Sequence, residues 1–309
     1  MSSPALDETF AHPALFYRTA REYTELTVSF VREGLAAGEP VAVAVPGPNL
    51  ELIRSGLGAD ARDVLLLDMT EAGRNPGRII PRVLRAFADA HPQERVRIVG
   101  EPVWAGRSPL EYPACAQHEA LINLAFEGRA ATILCPYDES RLDPVVLADA
   151  RTTHPTVIAE GRERASDAYD WPAVVDRYNE ELEPAPDAVV RSFEAEELPG
   201  VRHFAVDLAA RMGLTGQRLQ DVELAVAELT TNSVVHGGGR GTLFLWAEAD
   251  RVVCEVRDRG RLTDPLAGRR PPQRGQIGGR GLMLVHYLAD LVRVHTSDEG
   301  TAVRFYLGR

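Results

Sequence analysis

The order of apolar runs changes part-way along this 309-residue chain, and that change limits the folds open to it. Up to about residue 160, short β-rich runs alternate with longer segments of helical period. Val41–Val45, Val64–Asp68, Val96–Gly100 and Thr132–Cys135 read as buried strands, and Phe16–Ala36, Ile79–Ala90 and Tyr112–Phe126 read as helices. Strands alternating with helices predict a mostly parallel sheet covered on its faces. Past residue 188 the order differs. A strand at Val189–Phe193 is followed by helices at Val201–Met212 and Gln217–His236. Strands at Thr242–Ala249 and Val252–Asp258 then adjoin through Asp250-Arg251, and a helix at Gly281–Leu291 precedes strands at Val292–Thr296 and Ala302–Leu307. This order predicts an α+β two-layer sandwich with a mainly antiparallel sheet. Between the two patterns, residues 161–187 are charged, hold one short helix near Trp171–Glu181 and end in Glu183-Pro184-Ala185-Pro186-Asp187. They read as a connector between domains at 10–160 and 188–309.

Charge separates the same two parts. Residues 1–187 hold 18 arginines against 30 acidic residues, whereas residues 188–309 hold 16 against 15. A net charge of −11 is a poor basis for direct nucleic-acid binding. All 34 basic residues are arginine. Without lysine there is no Walker lysine, no strand lysine of a eukaryote-type protein kinase and no Schiff base on a lysine. The apolar runs are far shorter than the roughly 20 residues of a membrane span, and no basic segment with an apolar core opens the chain. Cys115, Cys135 and Cys254 are odd in number and far apart, which fits a reduced compartment. The expectation is a cytoplasmic protein without membrane contact.

In the second part, Glu228 and Asn232 are four apart on the helix Gln217–His236, so they share a face. A carboxylate and an amide oxygen so placed suit a hard cation and a general base; a solvated helix face would look the same. The strand from Val252 runs into Asp258-Arg259-Gly260, where the carboxylate can take an amino group of a base or close an Asx turn. Gly278-Gly279-Arg280-Gly281-Leu282 opens a helix. Glycines there admit phosphate to backbone N–H groups, or serve as a joint. Gly300-Thr301 starts the last strand.

In this order the pieces resemble the Bergerat-fold ATPases of the GHKL superfamily, over residues 188–309. The resemblance implies one MgATP site. Asn232 would bind Mg²⁺, and Glu228 would act as base or polarise the acceptor hydroxyl. Asp258 would take the adenine amino group, Gly260 would let the base approach, and Thr301 would support the adenine. Gly279, Arg280 and Gly281 would sit at the phosphates. Arg261–Ile277 would be the ATP lid, with Arg269, Arg270 and Arg274 either meeting phosphate charge or remaining solvated. The usual Asp-x-Gly-x-Gly box departs at Leu262, which bears on the lid hinge and not on the adenine contact. The run Glu228–Gly239, with His236 in it, is similar to that of anti-sigma factor kinases. These serine/threonine kinases phosphorylate a STAS-domain anti-sigma antagonist and also sequester a sigma factor. Two other readings are a sensor histidine kinase with His118 as phosphoacceptor and a module that binds ATP but transfers nothing. Against the first, the His118 helix is followed by a strand at Ala131–Cys135 and not by the second helix of a dimerising hairpin. Against the second stand the intact Glu228 and Asn232.

Residues 10–160 resemble the MEDS sensory domain. The likeness rests on Gly100-Glu101-Pro102-Val103-Trp104, the helix Glu111–Asn123 with His118, Glu119 and Asn123, Leu134-Cys135-Pro136-Tyr137-Asp138, and His154-Pro155. Such domains look like a RecA/KaiC core without its nucleotide motif. The loop after Val41–Val45 reads Pro46-Gly47-Pro48-Asn49, so no ATP is expected in this part. Cys115 and His118 are three apart on one helix, and Cys135 and His154 lie elsewhere, without a CxxC or HxxxH pair. Packed thiols and satisfied imidazoles are the expectation there. The combination implies a sensory anti-sigma factor with serine kinase activity, and relatives of this kind often dimerise.

Overall fold

The computed structural model describes residues 10–271 and 279–309. The chain divides into two compact units between Tyr178 and Asn179. The strands of the first unit are β1 (Phe10–Ala11), β2 (Pro13–Tyr17), β3 (Val41–Val45), β4 (Val64–Asp68), β5 (Val96–Gly100), β6 (Ala131–Asp138), β7 (Thr156–Ala159) and β8 (Arg162–Ala165). Its helices are α1 (Ala20–Ala36), α2 (Gly47–Leu57), α3 (Met69–Ala72), α4 (Arg85–Ala90), α5 (Tyr112–Ala125), α6 (Pro144–Thr153) and α7 (Trp171–Arg177). They form one sheet of order β4-β3-β5-β6-β2-β7-β8, with β1 beside β6. The strands pair parallel except at the β7–β8 edge. Helices on both faces explain why β3 is apolar throughout and buried at every position.

The segment expected as one helix from Phe16 is a strand followed by a helix. All of β2 is buried, between β6 and β7 in the sheet. The Thr19 side chain accepts from the Glu22 N–H at 3.1 Å and starts α1. Phe16, Ala20, Tyr23 and Thr27 keep helical spacing across the end of β2, and the cap marks the boundary. Two further helices, α2 and α6, each begin with a proline in the first turn. Strand β8 carries no apolar signal, because it is exposed at all four positions, so its hairpin with β7 shows only in the fold.

The connections after β3 and β5, which are neighbours, run to opposite sides of the sheet. Doubly wound sheets bind ligands at such a switch point. Here the place is taken by Glu101, which is 2% exposed. Asn49 Nδ2 lies 2.9 Å from each of its oxygens, and the Tyr23 hydroxyl donates to Oε2 at 3.1 Å. Burial pushes the Glu101 carboxyl up to about 8.

The second unit comprises β9 (Val189–Glu194), α8 (Leu198–Arg211), α9 (Gln217–His236), β10 (Arg240–Ala247), β11 (Arg251–Asp258), α10 (Gly281–Leu288), β12 (Leu291–Ser297) and β13 (Gly300–Gly308). Its antiparallel sheet has the order β12-β13-β11-β10-β9. Val222, Val226 and Leu229 of α9 pack with Leu243, Leu245, Cys254, Val256 and Phe305 from one sheet face. The period of two along β11 sends Glu255 to the other face, yet Glu255 is fully buried. Arg257 Nε at 2.5 Å and Arg304 Nε at 2.6 Å pair with its two oxygens. The same arginines donate to the carbonyls of Leu182 and Glu183, and Arg293 Nη2 reaches Glu180 at 2.7 Å. Residues 179–183 therefore strap the open sheet face, and a buried carboxylate with two guanidinium partners avoids the cost of an unpaired charge. The stretch 161–187 is thus shared between the units. β8 pairs with β7, Val174 and Tyr178 pack with Ala116 and Ala120 of α5, and the strap belongs to the second unit.

Candidate functional site

A cavity of about 620 Å³ opens in the second unit between α9, the ends of β11 and β13, and the start of α10. That volume is in the range of small-molecule sites. Leu229, Val256, Leu282 and Val303 make part of its wall apolar, and Asn232, Asp258, Arg270, Arg280 and Thr301 add polar groups.

The end of β11 is held in place by a chain of hydrogen bonds. Asp258 and Thr301 are directly paired residues of β11 and β13. Asp258 Oδ1 accepts from the Gly260 N–H at 2.8 Å, and Oδ2 accepts from Ser233 Oγ at 2.6 Å. The Thr301 hydroxyl donates to the Gly260 carbonyl at 2.7 Å and lies 2.9 Å from the Thr296 hydroxyl. Thr296 Oγ1 also accepts from the Leu262 N–H at 3.0 Å. The residue at the altered glycine position is therefore tied by its backbone to the end of β12.

Two glycines allow close approaches that a side chain would block. A Cβ on Gly260 would lie 2.6 Å from the His236 carbonyl oxygen and 3.0 Å from Gly237 Cα. A Cβ on Gly281 would lie 2.6 Å from Glu228 Oε2 and 3.2 Å from Asn232 Nδ2. Glu228 and Asn232 thus stand side by side against the first residue of α10, as their spacing predicts. Gly279 and Arg280 are exposed and precede that helix along the cavity rim. The N–H groups of a helix start and a guanidinium suit an anion. A triphosphate nucleotide fits this cavity on those grounds, and the paired amide and carboxylate of α9 fit a hard cation beside it.

Of the three arginines expected at phosphate, Arg270 lines the cavity and pairs with Asp264 at 3.4 Å. Arg269 is 5% exposed and is not among the described residues lining the cavity, so its reading as a phosphate contact or solvated charge gives way to burial. Arg274, and the lid beyond Pro271, lie outside the described residues.

The histidine kinase-like ATPase domain model matches residues 192–307, and the MEDS (methanogen/methylotroph, DcmR sensory) domain model matches residues 11–155. A serine-protein kinase RsbW of Halalkalibacterium halodurans is 35% identical over 121 residues, covering 35% of this chain and 74% of the relative. The proteins of the same name from Listeria monocytogenes and Listeria innocua are 30% identical over 110 residues, covering 31% of this chain and 69% of each relative. This chain belongs to the RsbW family. Its RsbW-like unit is a GHKL ATPase domain, and a MEDS domain precedes it.

Within the RsbW-like unit, sequence reading missed the residues that hold the contacts in place. Ser233 lies one turn after Leu229 on the core-facing side of α9; it is buried, and its hydroxyl bonds Asp258. Gly237 was not singled out, although its Cβ would fall 2.4 Å from Asp258 Cγ. The Gly237-Gly238-Gly239 run was the available signal. Thr296 had none, because its role depends on the register of β12 with β13. Asn179 holds Thr296 in turn, through its main-chain N–H at 2.9 Å and carbonyl at 2.8 Å.

Proposed function

We propose that this chain is a sensory anti-sigma factor with ATP-dependent serine/threonine kinase activity toward a STAS-domain anti-sigma antagonist. The observation that carries the reading is the meeting of Glu228 and Asn232 at Gly281, beside the cavity that holds Asp258, Gly260 and Thr301. The name of the relatives, serine-protein kinase, supports serine as the acceptor. MgATP, when bound, supplies the phosphoryl group. Asp258 would accept a hydrogen bond from the adenine amino group, with Gly260 giving the base room and Thr301 holding the Gly260 carbonyl. The α10 N-terminus with Gly279, Arg280 and Gly281 would hold phosphate oxygens, and the Asn232 amide would hold Mg²⁺. Glu228 would orient the acceptor hydroxyl and take its proton. Catalysis of this kind is positioning and charge stabilisation.

Phosphorylation adds about −1.5 to −2 charges to the antagonist, enough to break its binding surface. The released kinase then sequesters its sigma factor. Both partners are proteins, the compartment is the cytoplasm, and homodimerisation accords with the family resemblance. Among the described residues no helix is long and apolar enough to cross a membrane. The histidine-kinase alternative has little support: His118 is 1% exposed, in a helix of the parallel α/β unit.

The deciding assay is incubation of the full chain with γ-labelled MgATP, with and without a STAS-domain protein encoded nearby. Acid-stable label on a partner serine is the expected result. Acid-labile label on the chain itself, lost in His118→Ala, would overturn the reading.

A further inference from the structure

Four side chains from distant parts of the first unit converge in its interior. His12 lies between β1 and β2, Glu119 on α5, Cys135 within β6, and His154 at the end of α6. They are 1%, 2%, 1% and 0% exposed. One donor atom from each falls within 4.8 Å of all the others. His154 Nε2 is 3.2 Å from Glu119 Oε2, His12 Nε2 is 3.5 Å from the same oxygen, and Cys135 Sγ is 3.4 Å from His12 Nε2. Tetrahedral coordination with metal–donor bonds of about 2.0–2.3 Å places neighbouring donors about 3.3–3.6 Å apart.

The outer hydrogen bonds settle which way the imidazoles present themselves. His154 Nδ1 is 2.7 Å from the Ala150 carbonyl, which can only accept. Nδ1 therefore carries the hydrogen, and Nε2 of the neutral ring turns a lone pair inward. Asn123 Nδ2 donates to the carbonyls of Ala120 and Thr153, so its Oδ1 is the atom 3.3 Å from His12 Nδ1. His12 Nε2 then also presents a lone pair. Among the described residues, neither Glu119 oxygen nor His154 Nε2 has a hydrogen bond of ordinary geometry. Two lone pairs thus face a buried carboxylate, an arrangement that is costly without a cation.

We propose that His12, Glu119, Cys135 and His154 bind one divalent transition-metal ion, zinc by its donor chemistry. Two neutral imidazoles, one carboxylate and one thiolate balance a dication, so the buried site carries no net charge. Mixed nitrogen, oxygen and sulfur donors suit zinc, which imposes no geometry of its own. The Nδ1–H donors to Ala150 and Asn123 are the outer contacts that fix ligating histidines. The Cys135 proton leaves to solvent on binding. The ion would join β6, α5 and the segments leading into β2 and β7. Sequence spacing predicts Cys135 and His154 as packed core residues; the fold brings them together with His12 and Glu119, and leaves Cys115 out.

The test uses tag-free full-length protein, purified without chelator, with metal content measured per chain. One equivalent of zinc is expected. After chelation, cobalt should restore one equivalent, with intense visible bands of tetrahedral cobalt and a thiolate-to-cobalt charge-transfer band. Cys135→Ser, close in size, should keep the visible bands and lose the charge-transfer band. Asn123→Ala, which removes the Nδ1 partner of His12 and none of the four donor atoms, should weaken metal affinity by about ten- to a hundredfold. Wild-type protein that takes up neither zinc nor cobalt would overturn the proposal. So would a cobalt spectrum that is the same in Cys135→Ser and wild type.

Discussion

Replacing Glu101 by glutamine should stabilise the first unit at neutral pH and leave it unchanged or weaker in acid. The carboxyl is buried where β3 and β5 diverge, and burial raises it from 4.5 to about 8. The folded state therefore binds its proton more tightly than the unfolded chain. The carboxyl's contribution is fully present below about pH 4.5 and is lost as the pH rises toward 8. Each pH unit within that window removes about 1.4 kcal/mol, so the loss between pH 5 and 7.5 is about 3 kcal/mol. That is a large share of a typical stability of about 5–15 kcal/mol. Glutamine keeps the shape and cannot ionise. Its amide needs an acceptor, which Asn49 provides by turning its own amide over, while the Tyr23 hydroxyl still donates to the remaining oxygen. The assay is urea unfolding at several pH values in a Trp246→Phe background, where the remaining tryptophans, Trp104 and Trp171, lie in the first unit. The stability difference between variant and parent should grow by about 3 kcal/mol from pH 5 to 7.5. A difference that stays constant across that range would refute the argument that burial governs this carboxyl.

Other consequences concern the RsbW-like unit. Asn232→Ala should lower Mg-dependent phosphoryl transfer by about a thousandfold while nucleotide binding persists, measured by single-turnover labelling beside a fluorescent-nucleotide titration; full transfer would remove Asn232 from cation binding. Asp258→Asn should weaken ATP binding by roughly ten- to a hundredfold, and Ser233→Ala, which removes one of its two observed donors, should weaken it less. Calorimetric titration orders the two, and a larger loss in Ser233→Ala would contradict the arrangement. Gly260→Ala forces a methyl group to 2.6 Å from the His236 carbonyl, so it should cost both nucleotide affinity and a few degrees of melting temperature. Unchanged affinity would mean that the close approach serves packing alone.

The candidate site was largely readable in the chain because its parts follow local rules. Glu228 and Asn232 share a face by helical spacing, Asp258 ends a strand, and Gly279 and Gly281 open a helix. Each of these depends on backbone geometry within a few residues. The support behind them was not readable. Ser233 reaches Asp258 across 25 positions, and Thr301 meets Thr296 only through the β12–β13 register. A hydroxyl that looks like a core-facing residue on a helix wheel becomes a hydrogen-bond donor only when a particular strand end arrives beside it.

The first unit marks the same boundary more sharply. Its strand–helix alternation announced a parallel sheet, since runs such as Val41–Val45 are buried on both faces. Strand order left no trace in that alternation. Parallel strands are joined by crossovers, so neighbours in the sheet are distant in the chain. β2 pairs with β6 from more than a hundred residues away. Glu101 at the switch point and the His12, Glu119, Cys135 and His154 cluster both arise from that order, one residue at a time from separate elements. Composition and periodicity record which residues avoid water. Which of them meet there is decided by the crossovers, and those exist only in the folded chain.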